Sequence, residues 1–488
     1  MEKESLKKQT VTGFLWRLAE RMGAQGVSFV VSIVLARLLA PEAYGVVALV
    51  TVFTAILQVF VDSGMGNALV QKKDADDLDF SSVFYFNIFM CTVLYIGMFI
   101  AAPFIAKFYN KPELTALVRV ISLTLIIAGV KGVQQAYVSR KMLFKRFFFA
   151  TLGGTLFSAA LGIALAYFGF GPWALVAQSL SNATIDTLIL WITVKWRPKW
   201  MFSFKRLKSL FSFGWKLLVA ALIDRGYNSL RSLIIGKVYT SADLAFYNKA
   251  RNFPDVIVQN ITTSIDSVLL PSMSKVQDSP EAVKSMTRRA MKTSIYILAP
   301  LLIGLAACGK SVISLLLTDK WLPSYPFMVI FCTTFVFYPL HTANLNAIKA
   351  MGRSDLFLKL EIIKKVVGII SVLITFRISV MAMALSLLVT SVLSQIINSW
   401  PNKKLMNYSY LEQLKDILPG ILLAAFMGGC VYCINFLHLH SVITLLIQVP
   451  LGAVIYIGLS YLLKLEAFLY CLNTVKTSFK KFKHKKDS

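Results

Sequence analysis

The chain has 488 residues, 57% of them hydrophobic, and a formal net charge of +27. A soluble protein of this size does not carry so much apolar surface, and the long uninterrupted apolar stretches indicate membrane spans. The basicity does not indicate nucleic acid, because Lys and Arg fall in short loops between apolar runs, where they act as positive-inside topology signals.

A span needs about 20 apolar residues. That length places helices near 12–38, 42–62, 81–108, 113–136, 147–169 and 172–195. A second set of six lies near 211–237, 242–270, 285–317, 324–350, 355–376 and 378–400, and two more lie at 416–436 and 441–463. The expected fold is all-α, a polytopic membrane protein of about fourteen helices. The expected division is a six-helix lobe over 1–195, a basic linker over 196–210 and a second lobe over 211–402. An extra pair over 403–463 and a basic tail over 464–488 complete it.

The first run is too long and too charged for a cleavable signal peptide and is expected to remain. The loops at 137–146, 195–210 and 401–415 are basic, whereas 109–112, 168–172, 318–323 and 435–440 are nearly free of charge. Alternation of this kind predicts both termini on the cytoplasmic side. The linker interleaves Trp196, Trp200 and Phe204 with its basic residues, as an interfacial segment does. The Lys-rich tail, with Phe479 and Phe482, reads either as a disordered topology signal or as a segment for anionic lipid.

An internal repeat organises the chain. Leu35-Ala36-Arg37-Leu38-Leu39-Ala40-Pro41-Glu42-Ala43-Tyr44-Gly45 lines up with Ile235-Gly236-Lys237-Val238-Tyr239-Thr240-Ser241-Ala242-Asp243-Leu244-Ala245. Gly13-Phe14 and Gly214-Trp215 correspond at nearly the same offset. Each half therefore opens with a long polar-studded helix, a basic residue, a tight turn and a second helix. Six helices per half make the repeats parallel, related about an axis along the membrane normal.

The opening helices carry charge where a bilayer tolerates it least. Residues 12–38 contain Arg17, Glu20, Arg21 and Gln25; residues 211–237 contain Lys216, Asp224, Arg225, Asn228 and Arg231. A charge at the bilayer centre costs roughly 2.5–3.5 kcal/mol on insertion scales, so such groups face a wet, protein-lined space. Arg21, Arg225, Arg231 and Asn228 are accordingly candidates to bind an anion, guanidinium groups being bidentate partners of phosphate. Arg17 reads equally well as a surface anchor.

Asn252, Asp255, Gln259, Thr262 and Asp266 align on one face of the eighth helix, with Lys249 and Arg251 beside them. Pro254 removes a backbone hydrogen bond there. This stretch reads as a substrate pathway through Lys249, Arg251, Asn252 and Gln259, or else as a self-neutralising ladder with Arg251 paired to Asp255. Glu20, Asp224, Asp255 and Asp266 are candidates for ion coupling, Glu20 and Asp224 being also natural counter-ions of the arginines. Asp62 and Asp186 are further carboxylates at membrane depth, and His341 is a lone intramembrane imidazole suited to packing. The pair Cys430-Val-Tyr-Cys433 has no partner pair and reads as helix packing. No P-loop, nucleophile constellation or metal cluster is legible, so no cofactor and no enzymatic activity are expected.

The chain resembles the polysaccharide-transporter branch of the multidrug/oligosaccharidyl-lipid/polysaccharide (MOP) superfamily, the O-antigen and teichuronic-acid flippase type. The likeness is carried by Ile33-Val34 leading into Leu35–Gly45, and by Asp62-Ser63-Gly64-Met65-Gly66-Asn67-Ala68-Leu69-Val70-Gln71. Ser139-Arg140-Lys141-Met142-Leu143-Phe144-Lys145 and Ala350-Met351-Gly352-Arg353-Ser354-Asp355 add to it.

The resemblance implies a V-shaped bundle of two six-helix lobes, alternating access and a central cavity formed by the first two helices of each lobe. Arg21 and Arg225 look similar in placement to cavity arginines of lipid II flippases, and the final helix pair would sit outside the core. The expected cargo is an undecaprenyl-diphosphate-linked oligosaccharide for capsule, exopolysaccharide or cell-wall polysaccharide. Membrane lipids, a polysaccharide polymerase and glycosyltransferases are the expected partners, and nucleic acid is not one. A cation-coupled multidrug exporter of the same superfamily and a membrane scaffold in a polysaccharide synthesis complex are the alternatives.

Overall fold

The computed structural model describes residues 2–62, 65–72 and 74–484; within its helices the side chains of Arg21, Asp62, Lys216, Phe479 and Phe482, all named above, lie outside the described residues. The first helices are α1 (Glu2–Leu38), α2 (Pro41–Asp62), α3 (Met65–Gln71), α4 (Asp77–Tyr109), α5 (Leu114–Ile121), α6 (Leu123–Arg140), α7 (Phe144–Tyr167), α8 (Pro172–Thr193) and α9 (Phe204–Val238). They are followed by α10 (Ser241–Ser274), α11 (Pro280–Leu317), α12 (Tyr325–Val336), α13 (Tyr338–Ala350), α14 (Ser354–Thr375) and α15 (Val380–Met406). The last three are α16 (Tyr410–Cys433), α17 (Ser441–Leu462) and α18 (Glu466–His484).

The chain is a multi-pass membrane protein. Ten helical stretches among the described residues are long and apolar enough to cross a bilayer. The expected spans not among them are α1, α9, α10 and α14: the described apolar run of α1 is Met22–Leu38, too short on its own, α9 and α14 carry several charges, and α10 adds amides and hydroxyls to its charges. Two of the expected spans are broken, at Ser122 between α5 and α6 and at Phe337 between α12 and α13.

Local chemistry sets the ends. Asp76 and Asp79 form a capping box on α4, as Ser409 and Glu412 do on α16, each satisfying orphan N–H groups of a first turn. Asn110 closes α4 in the left-handed region at φ 55°, a conformation Asn adopts more readily than most residues.

The repeat reappears as geometry. Helix α1 ends at Leu38 and α2 begins at Pro41; α9 ends at Val238 and α10 begins at Ser241. Leu39 N–H donates to the Leu35 carbonyl at 2.9 Å, and Tyr239 N–H to Ile235 at the same distance. The exits of α6 and α13 match bond for bond. Lys141, Met142 and Leu143 donate to Tyr137, Ser139 and Val138, while Met351, Gly352 and Arg353 donate to Ala347, Lys349 and Ile348. Met142 and Gly352 both take positive φ, 54° and 72°.

Two compact units divide between Ala245 and Phe246. In the first, α7 packs on α1 and α8, α6 on α4 and α8, and α9 on α2, α3 and α4. The linker therefore delivers α9 back onto the helices of the first unit. Tyr109 Oη donates to the Leu233 carbonyl at 3.4 Å, and Lys237 Nζ lies 4.3 Å from the Phe108 ring centroid. An aromatic core of Phe80, Phe84, Tyr137 and Trp196 fills the end of this unit near the linker.

In the second unit α11 is the central post, packed by α12, α13, α16 and α17. The final pair is thus part of the unit's core. Buried amides join it: Asn344 Nδ2 donates to Gln413 Oε1 at 2.8 Å, and Asn402 Nδ2 to Asn344 Oδ1 at 2.7 Å. A buried amide network of this kind fixes one register, since every slip strands a polar group. The tail is helical from Glu466 to His484, with Lys292 paired to Glu466 at 2.6 Å.

Candidate functional site

The middle of helix α2 carries a polar stripe, Thr51, Thr54 and Gln58, whose spacing puts all three on one face. That face borders a hollow of about 550 Å³ in the first unit. Across it stand Thr124 of α6 and Asp224 and Arg225 of α9. Thr51 Oγ1 donates to the Ala48 carbonyl at 3.0 Å and Thr54 Oγ1 to the Thr51 carbonyl at 3.1 Å. With their protons engaged, both hydroxyls offer acceptor lone pairs.

Asp224 accepts from Asn228 Nδ2 at 3.1 Å, one turn along α9. Arg225 is exposed to the hollow and forms no ion pair with any described residue. A guanidinium cannot be neutralised by deprotonation, so an unpaired one at a polar hollow is an anion receptor. Arg231 is placed differently: it is buried, 9% exposed, and does not line the hollow.

In α1, Arg17 pairs with Glu20 at 2.6 Å and lies over the Phe147 ring at 5.0 Å. Glu20 also accepts from Thr151 Oγ1 at 3.2 Å, which ties α1 to α7. The carboxylate stands in a helix–helix contact, away from the hollow's lining.

The second unit holds the remaining candidates. Helix α10 runs through Pro254 without ending. Lys249 is buried with Nζ 5.8 Å from the Trp321 ring centroid. Arg251 Nε donates to Asp255 Oδ2 at 3.0 Å, so the i, i+4 pair forms. Asn252 and Gln259 are exposed, and Asp266 accepts from Asn346 Nδ2 at 2.7 Å. His341 bridges α13 to α15, with Nε2 3.3 Å from Ser391 Oγ and Nδ1 3.1 Å from Asn398 Nδ2.

The structure thus gathers Asp224, Arg225 and Asn228 on one unit's helix and Lys249, Arg251, Asp255 and Asp266 on the other's. Sequence reading overlooked Thr51, Thr54, Gln58 and Thr124, although the spacing of the first three was visible. It also overlooked Lys131, which pairs with Asp186 between α6 and α8. Gly154 makes room for that pair, a Cβ there meeting the Asp186 Cβ at 3.1 Å.

The family model described as polysaccharide biosynthesis protein matches residues 34–326, more than half of the chain. The chain belongs to this polysaccharide biosynthesis protein family. It is 25% identical over 467 residues to the teichuronic acid biosynthesis protein TuaB of Bacillus subtilis, covering 93% of this chain and 96% of TuaB. It is 24% identical over 332 residues to the succinoglycan biosynthesis transport protein ExoT of Rhizobium meliloti, covering 66% and 67%. Among solved structures it shares its fold with the lipid II flippase MurJ in an inward closed conformation. The TM-score is 0.73 at 14% identity, covering 93% of this chain and 98% of MurJ. Membership of a polysaccharide biosynthesis family and a helical fold shared with MurJ agree with the expectation from sequence.

Proposed function

We propose that this family member flips a lipid-linked oligosaccharide of the undecaprenyl-diphosphate type across the cytoplasmic membrane, supplying capsule, exopolysaccharide or cell-wall polysaccharide assembly. The observation that carries the reading is the unpaired Arg225 at a hollow lined by hydroxyls and an amide. A diphosphate presents oxygens that a guanidinium grips bidentately. Sugar hydroxyls match the acceptors of Thr51 and Thr54 and the amide of Gln58. The lipid tail stays in the bilayer throughout.

The names of TuaB and ExoT point to surface polysaccharide, ExoT's to transport, and MurJ's to a lipid-linked sugar. The chain is on this reading a transporter and not an enzyme. Alternating access moves the headgroup between a wet site and each membrane face. Asn228, bonded to Asp224 one turn along α9, extends the polar face beside Arg225, and Asp255 and Asp266 of the second unit are the candidates for ion coupling. Both termini face the cytoplasm, where glycosyltransferases deliver the cargo; a polymerase receives it outside.

The test is reconstitution in liposomes with a matched lipid-linked oligosaccharide, alongside depletion in cells. Protein-dependent flipping and accumulation of lipid-linked intermediates on depletion support the reading. Drug sensitivity on depletion, with no such intermediates, would favour an exporter of drugs.

A further inference from the structure

We propose that residues 195–208 form a rigid platform that binds anionic phospholipid headgroups at the membrane surface. The proposal goes beyond the transport reading and does not depend on it.

The segment is a loop followed by the first turn of α9, yet its backbone is fixed. Lys199 N–H donates to Ser81 Oγ at 3.0 Å and Ser203 N–H to Ser82 Oγ at 2.9 Å. Gln134 Nε2 donates to the Trp196 carbonyl at 3.0 Å, and Trp196 Nε1 to Asp77 Oδ1 at 3.1 Å. Arg206 then pairs with Asp76 at 2.9 Å and with the fully buried Asp79 at 3.1 Å. Trp196 and Leu207, buried in the hydrophobic core, anchor the same segment from the apolar side.

What the ordered backbone presents outward is unusual for a protein surface. Trp200 is 97% exposed, and Phe202 and Phe204 are exposed with it. Lys195, Lys205 and Lys208 are exposed among these rings, and none forms an ion pair with a described residue. Exposed aromatics on fixed backbone need an apolar–polar boundary to shelter them, which a headgroup layer supplies. Unpaired lysines at the same level select an anionic headgroup over a zwitterionic one. Trp196, by contrast, is turned inward and buried, so the alternation along the segment assigns one side to protein and the other to lipid.

The test uses the full-length protein in nanodiscs of mixed phosphatidylcholine and phosphatidylglycerol, with bromine on the acyl chains of one lipid or the other. The tryptophan quenching lost on Trp200→Phe reports the lipid beside that ring. Brominated phosphatidylglycerol should quench Trp200 several-fold more than brominated phosphatidylcholine at equal mole fraction. The triple variant K195Q/K205Q/K208Q should abolish that preference while leaving Trp200 quenched, and high salt should reproduce the variant, as screening requires. Native mass spectrometry of wild type and triple variant, which leaves Trp200 in place, should show fewer retained phosphatidylglycerol molecules on the variant. Equal quenching by both lipids in the wild type, or no quenching of Trp200, would overturn the proposal.

Discussion

Gly45, at the start of α2, lies against the backbone of Ser241 at the start of α10: a Cβ on Gly45 would stand 1.8 Å from the Ser241 carbonyl oxygen. Reciprocally, a Cβ on Gly236 would stand 2.0 Å from Leu49 Cδ2. The two turns that the repeat relates are in direct contact, and each depends on a glycine near the contact. The atoms nearest that Cβ are backbone atoms of Ser241, and backbone cannot swing aside. Gly45→Ala should therefore cost on the order of 1–3 kcal/mol of stability. Thermal unfolding of the purified variant, expected well below wild type, checks this; Gly66→Ala, where a Cβ has open space, serves as the control.

The matched exits of α6 and α13 make a second prediction. Met142 holds at φ 54° what Gly352 holds at 72°. A non-glycine residue there costs roughly 1–2 kcal/mol. Met142→Gly should raise the unfolding temperature, despite the entropy glycine adds to the unfolded chain, whereas Gly352→Ala should lower it.

Gln58 is expected to contact the cargo. Gln58→Leu keeps the volume and removes the amide from the hollow, so transport should fall about tenfold or less, the worth of one neutral hydrogen bond. Initial flipping rates in liposomes, normalised to reconstituted protein, measure it.

The clasp at the linker has a pH dependence of definite sign. The backbone N–H of Asp79 and then the charge of Arg206 hold the Asp76 carboxyl below its usual range. A carboxyl with a lowered folded value contributes stability that is fully present above the unfolded value, about 4. That contribution fades as pH falls below it and is gone once the folded value is passed. Acid unfolding of wild type should accordingly carry a component that Asp76→Asn lacks, and the two profiles should run in parallel above about pH 5.

The all-helical class was legible because hydrophobic length marks a membrane span, and ten described stretches meet that length. The tight turns at 39–40 and 239–240 were legible too, through their shared pattern of residues. The breaks were uneven: Pro339 marks the start of α13, but nothing in Leu117–Leu125 marks Ser122, where tertiary packing redirects the chain. Within α9, Arg225 and Arg231 looked equivalent in sequence. Six residues at 100° each turn them to different sides, so one meets the hollow and the other is buried. The packing of α9 on α2 decides which, and that contact has no sequence signature. Nor could spacing tell that Glu20 belongs to a contact between α1 and α7.

The most direct test of the account is the rate at which liposomes containing Arg225→Ala flip a matched diphosphate-linked oligosaccharide. Losing a charge-assisted hydrogen bond of about 1.5–3 kcal/mol should slow flipping by about 10- to 100-fold, with Arg225→Lys retaining part of the rate and both variants folding normally. A rate equal to wild type in Arg225→Ala would contradict the account.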